Sequence, residues 1–170
     1  MAFVDQPDAP RAFRDALGLY ASGLTIVTGI DAADEPVGFT CQSFYSVSLD
    51  PPLVSLSVMR TSTSYPRLRR RKSFGIDVLA HDQAELATQF ARSGADKWAG
   101  VTWSPSRFGN PRISGSLLHL DCVLHAEHEA GDHLIVIGEV LDLETADEPG
   151  EPLVFYQGRF QRLGPEAALA

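Results

Sequence analysis

Apolar positions recur along this chain at two spacings, and the change from one to the other marks out its elements. Phe13, Leu17 and Tyr20 fall on one helical face behind Pro10, which suits a first turn, and Gly23 stands where such a helix would stop, so the pattern predicts a helix over 11–21. β-Branched residues then fill 24–30 (LTIVTGI), and the loop DAADEP joins that run to a second extended run from Val37, a predicted hairpin. Runs at 53–58 (LVSLSV) and 74–79 (FGIDVL), bounded by Pro, Gly or charged residues, predict further strands. Two helices interrupt the series. One is short and basic over 66–72; the other covers 81–92, where Asp82 and Glu85 stand at capping-box spacing and Leu86 and Phe90 share a face. The Gly-, Pro- and Ser-rich run 104–116 predicts a long surface loop. Beyond it Leu118, Leu120, Cys122, Leu124 and Ala126 alternate with His119, Asp121, Val123, His125 and Glu127, the period of a half-buried strand. A second long run, 133–143, follows the turn EAGD, and 153–156 and 159–163, parted by Gly158, complete the set. Many short strands with few helices favour a closed antiparallel barrel, because closure removes exposed strand edges.

Composition narrows the setting. A chain of 170 residues and 18.5 kDa has the length of one domain, enough for a single sizeable core. Its 44% hydrophobic and 21% charged residues belong to a folding globular protein, not to a disordered one. A net charge of -8 opposes a broad grip on nucleic acid or on an anionic membrane. No apolar stretch approaches the ~20 residues of a membrane span, and the start MAFVDQPDAPR lacks the pattern of a signal peptide, so the cytoplasm is the expected address. Cys41 and Cys122 lie far apart, match no CxxC motif and read as reduced thiols.

Three clusters carry candidate chemistry. The segment 37–53 (VGFTCQSFYSVSLDPPL) holds more hydroxyl and amide groups than a strand and turn require; Thr40, Gln42 and Ser43 could pair with the polar edge of a planar heterocycle while Phe44 covers an apolar part, or they could form an ordinary polar outer face. Next come Ser57, Arg60, Thr61, Ser62, Thr63 and Ser64, followed by the basic run RLRRRK at 67–72. A strand that ends in hydroxyls at a helix start can cradle phosphate, although the basic run alone also reads as a solvated helix face. The third cluster, His125 and His128 near Cys122 and His133, suggests a metal; on a regular strand residues three apart face opposite sides, so no metal site is expected. GxGxxG before a helix, GxSxG and GxxxxGK[ST] are all missing.

Taken in order, GLTIVTG, PVGFTCQSFYSVSLDPPLVSLSV, RTSTS, DKWAGVTW, GDHLIVIGEV and PLVFYQGRF resemble the short-chain flavin reductase family, the reductase components of two-component flavin-dependent monooxygenases, over about 13–163. The resemblance implies a mainly β, antiparallel split β-barrel of the Greek-key, FMN-binding type with a few flanking helices. It further implies a homodimer with flavin near the subunit interface. The expected reaction is hydride transfer from NADH or NADPH to FMN or FAD, with reduced flavin passing to a partner monooxygenase. Flavin-binding positions follow from the matched blocks: Gly38, Phe39, Thr40, Cys41, Gln42, Ser43 and Phe44 along the ring; Ser57, Val58, Arg60, Ser62 and Ser64 near the phosphate; Phe90, Ala91 and Lys97 beside the tail. Gly131, Asp132 and His133 match the nicotinamide motif, with His133 as the catalytic candidate, and Tyr156, Gly158 and Arg159 match the block beside it.

Asp77 departs from the family pattern, which has Asn there, as do Gln157 for Arg and Trp98 for Phe. A carboxylate beside a flavin would oppose its anionic reduced form, so Asp77 is expected to face away or to lower flavin affinity. Two other readings stay open: a reductase that keeps its flavin and serves another acceptor such as a corrin or an iron complex, and a flavin-binding carrier or sensor without turnover.

Overall fold

The computed structural model describes residues 8–94, 96–148 and 150–164. Helix α1 (Ala9–Leu17) leads into β1 (Ser22–Gly23), β2 (Thr25–Ile30), β3 (Pro36–Cys41), β4 (Tyr45–Leu49) and β5 (Pro52–Met59). Then come α2 (Tyr65–Arg69), β6 (Ser73–Val78), α3 (Ala84–Ala91), β7 (Trp103–Pro105), β8 (Pro111–Ile113), β9 (Leu118–Ala130), β10 (His133–Thr145), β11 (Val154–Tyr156) and β12 (Arg159–Gln161). A seven-stranded antiparallel sheet has the order β3-β2-β6-β9-β10-β5-β4, beside a three-stranded sheet β1-β11-β12 and the pair β7-β8.

Two contacts turn the large sheet into a barrel. The Ser43 hydroxyl accepts the Ser57 N–H at 2.8 Å and donates to the Ser57 carbonyl at 3.2 Å, stitching the chain just after edge strand β3 to β5 at the far end of the sheet. Inside the closed wall one core joins Val27, Leu56, Val58, Phe74, Ile76, Cys122 and Val136. A second core lies outside it, where Ile26, Leu79, Ala87, Phe90 and Leu153 pack α3 against the outer face of β2. β2 is thus buried on both faces, which is why its sequence reads as one continuous apolar run. Cys41 and Cys122 are both buried free thiols, and burial pushes the Cys122 pKa up to about 12.

The mainly β antiparallel fold and most elements match the sequence reading; the differences have local causes. Helix α1 begins earlier and ends at Leu17, because Gly18 closes it and Ser22–Gly23 is drawn into strand pairing with Val154 and Phe155. The basic helix is only Tyr65–Arg69, and Lys72 turns the chain at φ 57. Helix α3 lacks the Asp82–Glu85 box: Gln83 Oε1 accepts the Ala80 N–H while the Gln83 N–H donates to the Ala80 carbonyl, the reciprocal device shifted by two residues. The predicted loop 104–116 contains the hairpin β7–β8, and β4 was hidden by its Ser-rich sequence and by a bulge between Ser46 and Ser48. β9 is not half-buried in its first half, since His119 and Asp121 are as buried as Leu120 and Cys122. Among the described residues no helix is long and apolar enough to cross a membrane.

Candidate functional site

The C-terminal end of β5 and the turn after it wall a cavity of about 220 Å³ together with β3, the end of α3 and Lys97. Three separate parts of the chain converge there. Phe39 and Thr40 come from β3, Ser57, Val58, Met59, Thr61, Ser62, Thr63 and Ser64 from β5 and its turn, and Phe90, Ala91, Ser93 and Lys97 from α3 and beyond. Lys97 Nζ donates to the Gly38 carbonyl at 3.2 Å and to Ser64 Oγ at 3.3 Å, and partial burial lowers its pKa. Thr40 Oγ1 donates to the Ala87 carbonyl at 2.6 Å, and Ser62 Oγ accepts the Tyr65 N–H, so both hydroxyls are held by neighbouring backbone. Gly38 permits the close approach of β3 to α3, because a Cβ there would stand 2.6 Å from Phe90 Cε1.

Of the residues expected from sequence, Phe39, Thr40, Ser57, Val58, Ser62, Ser64, Phe90, Ala91 and Lys97 line this one cavity. Gly38 and Ser43 sit directly behind it through Lys97 and Ser57. Cys41 is in the barrel core, Phe44 packs partly on that core, and Gln42 is exposed. The Arg60 side chain lies elsewhere, 3.7 Å from Glu129, on a neighbouring cavity of about 360 Å³ at the barrel mouth that also holds Tyr65, Arg69 and Glu127. There the Tyr65 hydroxyl donates to Glu127, and burial together with that bond raises the Tyr65 pKa. Asp132 and His133 are joined by a 2.7 Å bond from Oδ1 to Nδ1, and His133 pairs across strands with Met59, a wall residue of the hydroxyl cavity. Tyr156 and Arg159 line a separate depression on the small sheet, where Gln157 and Gly158, at φ 49 and 73, form the two-residue hairpin turn.

Met59 and Ser93 were not foreseen. Met59 follows Ser55 and Ser57 at period two and so was readable from alternation; Ser93 carries no sequence signal, lying simply past the end of α3. His125 departs from regular strand parity: a register shift opposite Ile137 and Gly138 frees it to sit 3.4 Å from Glu139. No three metal-ligating groups cluster among the described residues.

Asp77 does not line the cavity. It is fully buried beside its strand partner Ile26, where its Oδ1 accepts the Ile113 N–H and lies 3.0 Å from His119 Nδ1. Asp121 Oδ1 accepts from Ser106 Oγ and Asn110 Nδ2, each at 2.8 Å, so the network straps the β7–β8 hairpin across β6 and β9. Burial works against the His119 imidazolium, but Asp121 and Asp77 outweigh it and raise its pKa to about 9; burial raises that of Asp77.

The donor set of the cavity fits a phosphate-bearing, polyhydroxylated ligand with an aromatic end: hydroxyls at Ser57, Thr61, Ser62, Thr63 and Ser64, an ammonium at Lys97, and apolar walls from Phe39, Met59 and Phe90. Residues 17–164 match the flavin reductase like domain. The chain is 41% identical over 157 residues to the reductase subunit HsaB of a flavin-dependent monooxygenase from Rhodococcus jostii, covering 92% of this chain and 80% of that one. It is also 41% identical to the FMN reductase (NADH) SmoA of Agrobacterium fabrum, covering 94% and 90%. Among solved structures, the NADH:FAD oxidoreductase SgcE6 of Streptomyces globisporus, in complex with NAD and FAD fragments, superposes with a TM-score of 0.88 at 36% identity, covering 95% and 97%. With its barrel, its hydroxyl cavity and this likeness over nearly the whole length, the chain belongs to the flavin reductase-like family and is an oxidoreductase.

Proposed function

We propose that this protein is an NAD(P)H-dependent flavin reductase that hands reduced FMN or FAD to a partner monooxygenase. The observation that carries the reading is the convergence of β3, the β5 turn and the α3 end, distant in sequence, on one cavity lined by hydroxyls and a lysine. A bound flavin supplies the redox chemistry, taking hydride from the nicotinamide. The chain itself has to hold and orient. Ser62, Thr63, Ser64 and Lys97 would hold the phosphate with charge-assisted bonds, Ser57 and Thr61 the ribityl hydroxyls, and Phe39, Met59 and Phe90 would shield the apolar side from water. Positioning of this kind can contribute ~7–11 kcal/mol, so no strong acid or base is required at the cavity. His133 is the nicotinamide-orienting candidate: Asp132 anchors its Nδ1 and leaves Nε2 for a ligand beside Met59.

The active form in this reading is a homodimer. At about 220 Å³ the cavity falls below the ~300–1,000 Å³ of ordinary ligand pockets, so one subunit encloses only part of a flavin. The outer face of β4, β5 and β10 carries Tyr45, Met59 and Ile135, all exposed, on the side opposite core residues Val54, Leu56 and Val58. A second copy seated on this face would cover both the apolar surface and the open side of the site. The test is nicotinamide oxidation measured with NADH or NADPH and each of FMN, FAD and riboflavin. Flavin-dependent oxidation is expected; no turnover above the uncatalysed rate with any pair would end the reading.

A further inference from the structure

Glu127 stands where the barrel pattern calls for an apolar side chain. On the sheet it pairs with Val136, which in turn pairs with Leu56, so the three share the inner face of the wall, and Val136 and Leu56 are core residues. A carboxylate whose side chain is only 14% exposed has given up most of its water and has to be matched by bonds. Two partners supply them, both from α2: the Tyr65 hydroxyl donates to Oε1, and Arg69 Nη2 lies 2.5 Å from Oε2. Burial and the bond to Glu127 raise the Tyr65 pKa, so the phenol stays a donor. Filling the position would take no more than an apolar residue of the same size; the carboxylate adds a fixed direction for two side chains of α2.

α2 depends on such ties, because a helix of five residues cannot hold its own shape or place. The turn that precedes it is the hydroxyl turn itself. The Ser62 N–H donates to the Met59 carbonyl at 2.9 Å, Ser62 Oγ accepts the Tyr65 N–H at 3.2 Å, and the Ser64 carbonyl accepts the Arg67 and Leu68 N–H groups at 3.1 and 3.3 Å. Turn and helix therefore form one hydrogen-bonded unit. Leu68 anchors that unit in the core, and Arg67 and Arg71 tie its outer flank to Asp31 and Asp34. Glu127 is not a wall of the hydroxyl cavity; it lies behind the turn, on the neighbouring cavity with which the first shares Met59 and Ser62. We infer that Glu127 is a positioning residue for the flavin phosphate: by holding Tyr65 and Arg69 it sets where Ser62, Thr63 and Ser64 present their hydroxyls. The inference rests on the reading of the hydroxyl cavity as the flavin phosphate site.

Equilibrium titration, read by quenching of flavin fluorescence, would compare FMN with riboflavin for the native protein and for Tyr65→Phe, Glu127→Leu and Glu127→Gln, with urea midpoints measured beside it. Tyr65→Phe and Glu127→Leu are each expected to weaken FMN roughly tenfold while riboflavin moves less than about twofold, and the double variant to lose about as much as the larger single loss, because both changes break one link. Glu127→Gln still accepts the Tyr65 hydroxyl and should recover most of the FMN affinity. A tie that served stability alone would lower the urea midpoint and leave the ratio of FMN to riboflavin affinity at its native value, and that result would overturn the inference. Tyr65→Phe keeps the buried ring, so it decides the matter even if Glu127→Leu does not fold. Native protein that binds FMN no tighter than riboflavin would overturn the phosphate reading and this inference together, whereas a native preference for FMN that survives in Tyr65→Phe removes the inference and leaves the proposed function standing.

Discussion

At the scale of single residues, the structure distinguishes groups that a basic, hydroxyl-rich segment presents as equivalent. Arg60 was expected at the flavin phosphate and Lys97 beside the flavin tail, but Lys97 lines the hydroxyl cavity and Arg60 faces Glu129 at the barrel mouth. Lys97→Met should therefore weaken FMN and FAD relative to riboflavin by ~1.5–3 kcal/mol, the loss of a charge-assisted bond, and Arg60→Ala by much less. Titration with the three flavins checks this, and a larger loss at Arg60 would place the phosphate at the barrel mouth. His133→Asn should raise the nicotinamide KM or lower kcat while leaving the flavin dissociation constant unchanged, because Asp132 and His133 border the cavity without lining it. His119 illustrates what alternation conceals. Its position on the polar side of β9 predicted solvent, yet it is buried between two carboxylates. Its folded pKa of about 9 lies above the ordinary 6.5, so protonation of His119 stabilises the fold. That contribution is complete below about pH 6.5 and is lost as pH rises through about 9, at most on the order of 3 kcal/mol. Urea midpoints between pH 6.5 and 9.5 should fall in the native protein and stay flatter in a His119→Asn variant.

At the scale of elements, strands with a buried face were legible and those held by polar contacts were not. β2, β5 and β6 announce themselves through apolar runs that fill the barrel, whereas β4, with Ser46, Ser48 and a bulge, lacks a readable period. The β7–β8 hairpin was hidden for a different reason. Its Gly, Pro and Ser content is that of a loop, and what orders it is the remote network of Asp77, His119, Asp121 and Asn110, which only the folded sheet assembles. The blocks that converge on the hydroxyl cavity were legible because their residue types recur in family order, while Ser93 and the role of Gly38 depend on how closely α3 approaches β3. The barrel seam supplies an element-scale prediction. Ser43→Ala removes both bonds to Ser57, costing roughly 1–3 kcal/mol of stability, and should also weaken flavin binding because Ser57 lines the cavity. A variant of native flavin affinity would mean that β5 keeps its place without the seam.

For the whole molecule, the barrel works as a rigid frame that brings hydroxyls, a lysine and aromatic walls from three stretches of chain to one spot, and the face of β4, β5 and β10 that carries Tyr45, Met59 and Ile135 stays exposed, the surface proposed above for a second copy. The reaction assigned to that spot requires grip and orientation from the chain, in keeping with a cavity that pairs donors with apolar walls. The most direct measurement is the loss of NADH absorbance in the presence of catalytic amounts of protein and excess FMN or FAD, run beside Lys97→Met and Gly38→Leu, the second of which drives a side chain into the Phe90 ring behind the cavity. Flavin-dependent oxidation by the native protein, with kcat/KM for flavin reduced at least tenfold in both variants, is the predicted result; turnover absent from the native protein, or undiminished in variants that remain folded, would contradict the account.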